Sequence, residues 1–193
     1  MHRNDTTSRS DRVLFAALAV VLAMVSAAFG SAMGNRSNTA SMTAVSSSTA
    51  PALQSAQDMI LAEHRCLSEA LYYEARGEGA RGEQAVAEVV FHRMNAGNYG
   101  HSICAVVYEG SDRRGCQFSF TCNGDLHRPR ETSAWQNAEQ LAAQILTGEV
   151  PLRNATGGAT HYHAASVRPY WAPTLAKTAH IGNHIFYRVT RDS

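Results

Sequence analysis

Glu74 is the residue in this sequence whose position best suits acid–base chemistry. Apolar residues recur at helical spacing over Met59–Ala75, and Leu67 and Leu71 mark the centre of that stripe. At about 100° per residue, Glu74 falls close to the same stripe near the end of the predicted helix. Burial disfavours the charged form of a carboxyl and raises its pKa, so that it still holds a proton near neutral pH. The pattern therefore predicts a general acid at Glu74.

The alternative for Glu74 is a structural ion pair with Arg76, Arg81 or Arg93. The same helical wheel gives different roles to two neighbouring glutamates. Glu69 points to the opposite side of the helix and is expected to be solvated. Glu63 is expected in the first turn, where a carboxylate stabilises the helix dipole.

Three helices and two strands are predicted to position these residues. The helices are expected over Met59–Ala75, over about Gly82–Asn95, and from Thr132 or Ser133 to Gly148. The strands are expected over Ala159–Ala164 and His180–Val189, which are rich in aromatic and β-branched residues. Helices followed by strands, without alternation, indicate an α+β fold with a short antiparallel sheet beside the helices.

The first 57 residues differ in composition from the rest of the chain. A basic segment at 1–12 precedes an uncharged apolar run at 13–30, which is typical of a signal peptide or an N-terminal membrane anchor. Residues 31–57 are rich in Ser, Thr and Ala and are expected to form a flexible linker, so that the folded domain covers 58–193. The chain is therefore expected to be exported to the periplasm or cell envelope, with inner-membrane anchoring through 13–30 as one arrangement.

The charge balance argues against nucleic-acid binding. The 193-residue chain has 17 Lys and Arg against 16 Asp and Glu, a formal net charge of +1. Nucleic-acid-binding domains carry a basic excess on one surface, which this composition does not provide. Hydrophobic residues make up 45% of the chain, which is enough for the core of one ordinary domain.

Four cysteines are present: Cys66, Cys104, Cys116 and Cys122. An even number in an exported chain favours disulfides, and three connectivities are open. One of them closes a short loop between Cys116 and Cys122 and ties the first helix, through Cys66, to the segment after the second. Zinc binding is disfavoured because no C-x-x-C spacing occurs.

Four segments together resemble one known family. Tyr72–Glu78 (YYEARGE), Gly82–Ala87 (GEQAVA), Cys116–Phe120 (CQFSF) and Ile181–Tyr187 (IGNHIFY) are similar to the SleB/CwlJ cell-wall hydrolases, the spore cortex-lytic enzymes and their relatives. The resemblance covers roughly residues 61–188. It implies a peptidoglycan-degrading catalytic domain that is related in fold to lysozymes and lytic transglycosylases.

The resemblance also implies that Glu74, the first glutamate of EARGE, is the catalytic acid. A single well-placed acid suits a lytic transglycosylase, which cuts the N-acetylmuramyl to N-acetylglucosaminyl bond and leaves a 1,6-anhydro end. A hydrolase usually adds a second carboxylate, for which Glu78 and Glu83 are the nearest candidates in sequence. Glu78 is instead expected to support the site as a partner of Arg76 or Arg81.

The expected substrate is a peptidoglycan glycan strand, with no cofactor. Sugar rings present apolar faces and hydroxyl edges, so that a glycan cleft combines aromatic and hydrogen-bonding side chains. The predicted substrate contacts are Gln117, Phe118, Ser119, Tyr162, Trp171 and His184.

Two other functions compete with glycan cleavage. His161, His163, His180 and His184 would form a zinc site if the two predicted strands brought them together, which would indicate a metal-dependent amidase. No H-E-x-x-H pattern supports this, and no metal is expected. A non-catalytic glycan-binding module would keep the aromatic cleft but would not need an acid at Glu74.

Overall fold

The computed structural model describes residues 49–112 and 115–190. The predicted signal or anchor segment at 1–30 and the predicted linker over 31–48 lie outside the described residues. Within the described ranges, no helix is both long enough and apolar enough to cross a membrane.

Four α-helices are the main regular structure of the described residues. They are α1 (Thr49–Ala75), α2 (Gly79–Ala96), α3 (Ile103–Val107) and α4 (Thr132–Leu146). Helix α1 packs against each of the other three, so that its last turns are surrounded by protein. The fully buried side chains of this core include Leu67, Leu71, Tyr72, Val86, Val90, Val106 and Phe120.

Helix α1 begins earlier than its composition predicted. Residues 49–57 are helical, whereas the sequence predicted a flexible linker up to residue 57. Alanine and glutamine in this segment favour helix, and Pro51 lies in the first turn, where its missing N–H breaks no hydrogen bond. Leu53 and Ile60 are each 65% exposed, so that this end of the helix extends beyond the core.

A three-stranded antiparallel sheet follows the helices. Its strands are β1 (His161–Ala164), β2 (Ala176–Ile181) and β3 (His184–Arg188), in the order β1-β3-β2. The predicted pairing of the two C-terminal segments is confirmed, since Tyr162 of β1 lies opposite Phe186 of β3.

The second predicted strand is wrong as a single element. The segment that was expected to run unbroken over 180–189 contains a tight turn at Gly182 and Asn183, and the chain reverses there to pair β2 with β3. Gly182 has φ of +56°, a conformation that glycine adopts without strain. The apolar run on both sides of this glycine therefore belongs to a hairpin.

The sheet packs on α2 through a small second core. Ala85 and Val89 of α2 are buried against Ile181 and Phe186 of the hairpin and against Ala159, which precedes β1. This contact sets the distance between the sheet and the end of α1, because α2 lies against both.

Glu69 is buried, contrary to the solvated position that the helical wheel predicted. Its carboxylate accepts hydrogen bonds from Nε of Arg65 at 3.1 Å, Nη2 of Arg130 at 3.0 Å and the hydroxyl of Tyr108 at 2.6 Å. Burial, together with this bond, raises the pKa of Tyr108 to about 12. Residues far along the chain cover this side of α1, which periodicity within the helix cannot reveal.

Glu63 also differs from its predicted role. Because α1 begins at Thr49, Glu63 does not lie in the first turn. Its carboxylate accepts the backbone N–H groups of Ile103 at 2.6 Å and Cys104 at 3.4 Å. These N–H groups open α3 and have no partner within that helix, so that Glu63 fixes α3 against α1.

Two disulfides are present, which confirms that the cysteines are oxidised, and one of the three open connectivities is observed. Cys66 of α1 joins Cys104 of α3, and Cys116 joins Cys122. The first bond reinforces the contact that Glu63 makes, and the second closes a short loop.

Peptide mapping under non-reducing conditions is expected to recover these two pairs from protein purified without reducing agents. Four free thiols, or a peptide that joins Cys104 to Cys116, would contradict the arrangement.

Glu69→Ala is expected to lower the free energy of unfolding by about 3 kcal/mol, because it leaves the guanidinium of Arg130 without its carboxylate inside the protein. Urea unfolding of the purified domain measures this change. Glu149→Ala, at an exposed position, is the matched control and is expected to unfold as the unmodified protein does. Equal stability of the two variants would contradict a structural role for Glu69.

Candidate active site

Glu74 lies in the last turn of α1, on the side that faces the sheet. Its side chain is half-buried, and Oε2 accepts a hydrogen bond from the hydroxyl of Tyr162 at 3.0 Å. Tyr162 stands in β1 on the sheet face that also carries Phe186 and His184. The end of the helix and the first strand therefore meet at this carboxyl.

The surroundings of Glu74 raise its pKa above the ordinary glutamate value. Burial is the largest cause, and the negative charge of Asp125 acts in the same direction. The hydrogen bond from Tyr162 and the positive charge of Arg93 favour the ionised form and oppose the increase. A carboxyl under these opposing influences is suited both to deliver a proton and to take one back.

The alternative of a structural ion pair finds no support in the described residues. Arg76, Arg81 and Arg93 are the predicted alternative partners, and within the described residues none of them lies within salt-bridge distance of Glu74. Arg76 donates to the hydroxyl of Tyr72 at 2.8 Å, and Nε of Arg93 donates to the backbone oxygen of Thr160 at 2.8 Å. Arg93 is buried and acts on Glu74 only through its charge.

Asp125 is a carboxylate near the site that sequence reasoning missed. Its side chain is held by Nδ2 of Asn123 at 2.7 Å and by Nη1 of Arg128 at 2.8 Å. Its backbone oxygen accepts a hydrogen bond from the hydroxyl of Tyr73, the residue before Glu74, at 3.2 Å. No sequence pattern connects positions so far apart, so that only the folded loop brings this charge close to Glu74.

Glu78 has a different partner from the one that was predicted. Its carboxylate contacts neither Arg76 nor Arg81 but accepts from the backbone N–H of Asn183 at 2.7 Å and from its side-chain Nδ2 at 3.1 Å. The backbone hydrogen bond is the main reason that the pKa of Glu78 is lowered. A Cβ atom on Gly182 would overlap the Glu78 carboxylate, so that a larger residue there would displace this carboxylate. Glu78 therefore ties the β2–β3 turn to the start of α2.

The residues of the QFS motif divide between surface and core. Gln117 and Ser119 are exposed, and they remain predicted substrate contacts. Phe118 is only 1% exposed and packs in the helical core, which is contrary to its predicted contact with substrate. Phe120 stacks on Tyr73 with ring centroids 4.7 Å apart and so supports the helix turn that carries the acid.

His184 and Trp171 lie on opposite faces of the sheet. The ring of His184 is 8% exposed and meets Tyr162 edge to face at 5.2 Å, with no hydrogen bond to Glu74. Burial lowers the pKa of His184, which favours the neutral ring. Trp171 packs on Tyr187 on the other face, so that the structure does not bring this predicted contact to the acid.

The four histidines of the zinc alternative do not converge. His161 and His163 share one face of β1, whereas His184 lies on the other face, because neighbouring strand residues alternate. Nε2 of His163 is 3.0 Å from the hydroxyl of Tyr187, and His180 is exposed on β2. The described residues contain no group of three His, Cys, Asp or Glu side chains that could hold a metal ion.

Residues 77–187 match the model of the Cell Wall Hydrolase family. Glu74 lies just before the matched residues, so that the family match assigns no role to it. The spore cortex-lytic enzyme of Halalkalibacterium halodurans is 30% identical over 122 residues, covering 62% of this chain and 33% of that protein. The spore cortex-lytic enzyme of Bacillus subtilis is 27% identical over 123 residues, which cover 63% of this chain and 36% of that protein. The matched part is about a third of each relative's length.

The fold is similar to that of a solved catalytic domain. The catalytic domain of the germination-specific lytic transglycosylase SleB from Bacillus anthracis aligns with a TM-score of 0.51 and 24% identity, over 65% of this chain and 93% of that one. This likeness shows a shared fold, and the family match spans more than half of the chain. The chain belongs to the Cell Wall Hydrolase family.

Proposed function

We propose that this protein cleaves the glycan strands of peptidoglycan as a lytic transglycosylase, with Glu74 as its catalytic acid and base. The observation that carries the proposal is the half-buried carboxyl of Glu74, whose pKa is raised by burial and whose Oε2 is held by Tyr162. The family match and the names of the relatives support the substrate class.

In the first step Glu74 donates its proton to the oxygen between an N-acetylmuramyl and an N-acetylglucosaminyl unit. The bond from this oxygen to the anomeric carbon breaks, and the acetamido oxygen of the muramyl unit supports the carbon that loses it. Proton delivery of this kind contributes about 10² to 10⁴ in rate. Tyr162 stabilises the carboxylate that remains on Glu74.

In the second step the Glu74 carboxylate takes the proton from the C6 hydroxyl of the same muramyl unit. The C6 oxygen attacks the anomeric carbon as the acetamido group withdraws, which forms a 1,6-anhydro end. One glycosidic bond is exchanged for an internal one, Glu74 is again protonated, and no water is consumed.

A hydrolytic version would use water in place of the C6 hydroxyl, with help from a second carboxylate. Asp125 is the described carboxylate that acts on Glu74. Its two oxygens are already bound, one to Arg128 and one to Asn123, which leaves it poorly placed to activate water. We therefore favour the route in which the substrate supplies its own nucleophile.

The proposed substrate lies outside the cytoplasm, and both disulfides suit an oxidising compartment. We place the protein in the periplasm or elsewhere in the cell envelope. The apolar run at 13–30 would serve as its export signal or anchor.

Glu74→Gln keeps the shape of the side chain but removes its proton, and it is expected to slow the clearing of turbid sacculi by at least about 100-fold. The variant should stay folded and should still sediment with sacculi. Glu149→Gln is the matched surface control and is expected to clear sacculi normally. Normal clearing by Glu74→Gln would overturn the assignment, and wild-type protein that binds sacculi without clearing them would indicate a binding module.

Mass spectrometry of the soluble fragments tests the route itself. The wild-type protein is expected to release fragments that end in 1,6-anhydro-N-acetylmuramyl units. Reducing ends without anhydro ends would show hydrolysis and would contradict the transglycosylase route.

The pH dependence of sacculus clearing is expected to move in opposite directions in two variants. Tyr162→Phe removes a hydrogen bond that favours the ionised form, so that the pKa of Glu74 increases and the alkaline limb of the profile moves to higher pH. Asp125→Asn removes a negative charge that favours the protonated form, so that the limb moves to lower pH. Shifts in the same direction, or no shift in either variant, would contradict the role of Glu74 as the titrating acid.

A further inference from the structure

A second groove lies beside the end of α1, between the start of α2 and the outer face of α4. It has a volume of about 640 Å³ and does not include Glu74, which faces the sheet. Charged, amide and apolar side chains line it, among them Arg76, Glu83, Asn137, Gln140 and Leu141. This groove is therefore distinct from the proposed cleavage site, although both adjoin the same helix end.

Two side chains of opposite charge in this groove form no salt bridge with the described residues, although the charge of Arg76 contributes to the lowered pKa of nearby Glu131. Glu83 is half-buried and makes no hydrogen bond or salt bridge with the described residues. Burial raises its pKa, which shows that its charged form lacks compensation. Arg76 donates one N–H to the hydroxyl of Tyr72 but forms no salt bridge within the described part of the chain, so that its other donors are available.

The remaining wall can recognise amide groups. Asn137 and Gln140 project from α4, and neither side chain has a hydrogen-bond partner among the described residues. A carboxamide offers both donors and acceptors, as the peptide group does. Leu141 gives the groove an apolar surface between them.

We propose that this groove binds the peptide stem of peptidoglycan, with a stem carboxylate on Arg76, the free ammonium of a stem diamino acid on Glu83, and the stem's peptide groups on Asn137 and Gln140. This inference rests on the proposed function. Arginine binds a carboxylate with charge-assisted hydrogen bonds. A neutral sugar ring supplies neither charge, so that the glycan strand itself is a poor match for the groove.

The groove begins close to Glu74 in the sequence. Arg76 follows Glu74 by two residues, and Gly77 between Arg76 and α2 also lines the groove. A stem of three residues extends up to about 10 Å. In the proposed arrangement, the stem of a muramyl unit at Glu74 passes around the helix end into the groove.

The test compares soluble glycan oligomers that carry peptide stems with the same oligomers after an amidase has removed the stems. For the double variant Arg76→Gln/Glu83→Gln, KM for the peptide-bearing oligomers is expected to increase at least roughly tenfold with kcat unchanged, because both charged contacts to the stem are lost. The variant and the wild type should act equally on the stripped oligomers. The matched control is Arg81→Gln. Arg81 is exposed on α2, as part of the same helix as Glu83, but does not line the groove, so that this variant should resemble the wild type on both substrates.

Equal KM values for the double variant and the wild type on peptide-bearing oligomers would overturn the groove assignment. Wild-type protein that cuts neither substrate would instead contradict the proposed function. A binding experiment distinguishes failure of the groove assignment from failure of the proposed function. The free tripeptide L-alanyl-γ-D-glutamyl-diaminopimelate is expected to shift the NMR signals of the Asn137 and Gln140 side-chain amides in the wild type. It is expected to cause no such shift in the double variant. No shift in the wild type at millimolar tripeptide would overturn the groove assignment, whatever the activity.

Discussion

The partial burial of one carboxyl, where α1 ends against β1, is the constraint on which the site depends. Desolvation alone would hold the proton on Glu74 too firmly for it to serve as an acid, and full exposure would leave the group ionised before a substrate arrives. The hydroxyl of Tyr162 and the charge of Arg93 limit the effect of burial, while Asp125 adds to it. The proposed reaction needs both protonation states of the same group in succession, and these opposing influences act on the balance between them.

Other buried or bound carboxylates hold the elements around that position. Glu69 binds the loop that carries Arg130, and Glu63 caps the start of α3. Glu78 holds the hairpin turn, and Glu88, which is 2% exposed, accepts the backbone N–H groups of the loop before β1. Each joins segments that are distant in sequence, so that the relative placement of helix and sheet rests on specific hydrogen bonds as well as on packing.

The sequence predicted the helical frame and the inward position of Glu74 at the end of α1 because both follow from local spacing. The apolar repeat that ends near Glu74 is visible within one helix, and so are the ends of α4. It did not predict the burial of Glu69, the burial of Phe118 or the approach of Asp125, because each depends on a loop that returns from far along the chain. The hairpin was missed for a different reason, since the single glycine at Gly182 carries the turn inside an otherwise continuous strand pattern.

The protonation of Glu74 can be measured without substrate. In a carbon-13 NMR titration of the folded protein, the side-chain carboxyl of Glu74 is expected to titrate with a midpoint above 4.5, the ordinary glutamate value. A midpoint at or below 4.5 would mean that burial does not control this carboxyl, and it would contradict the account of Glu74 as the acid.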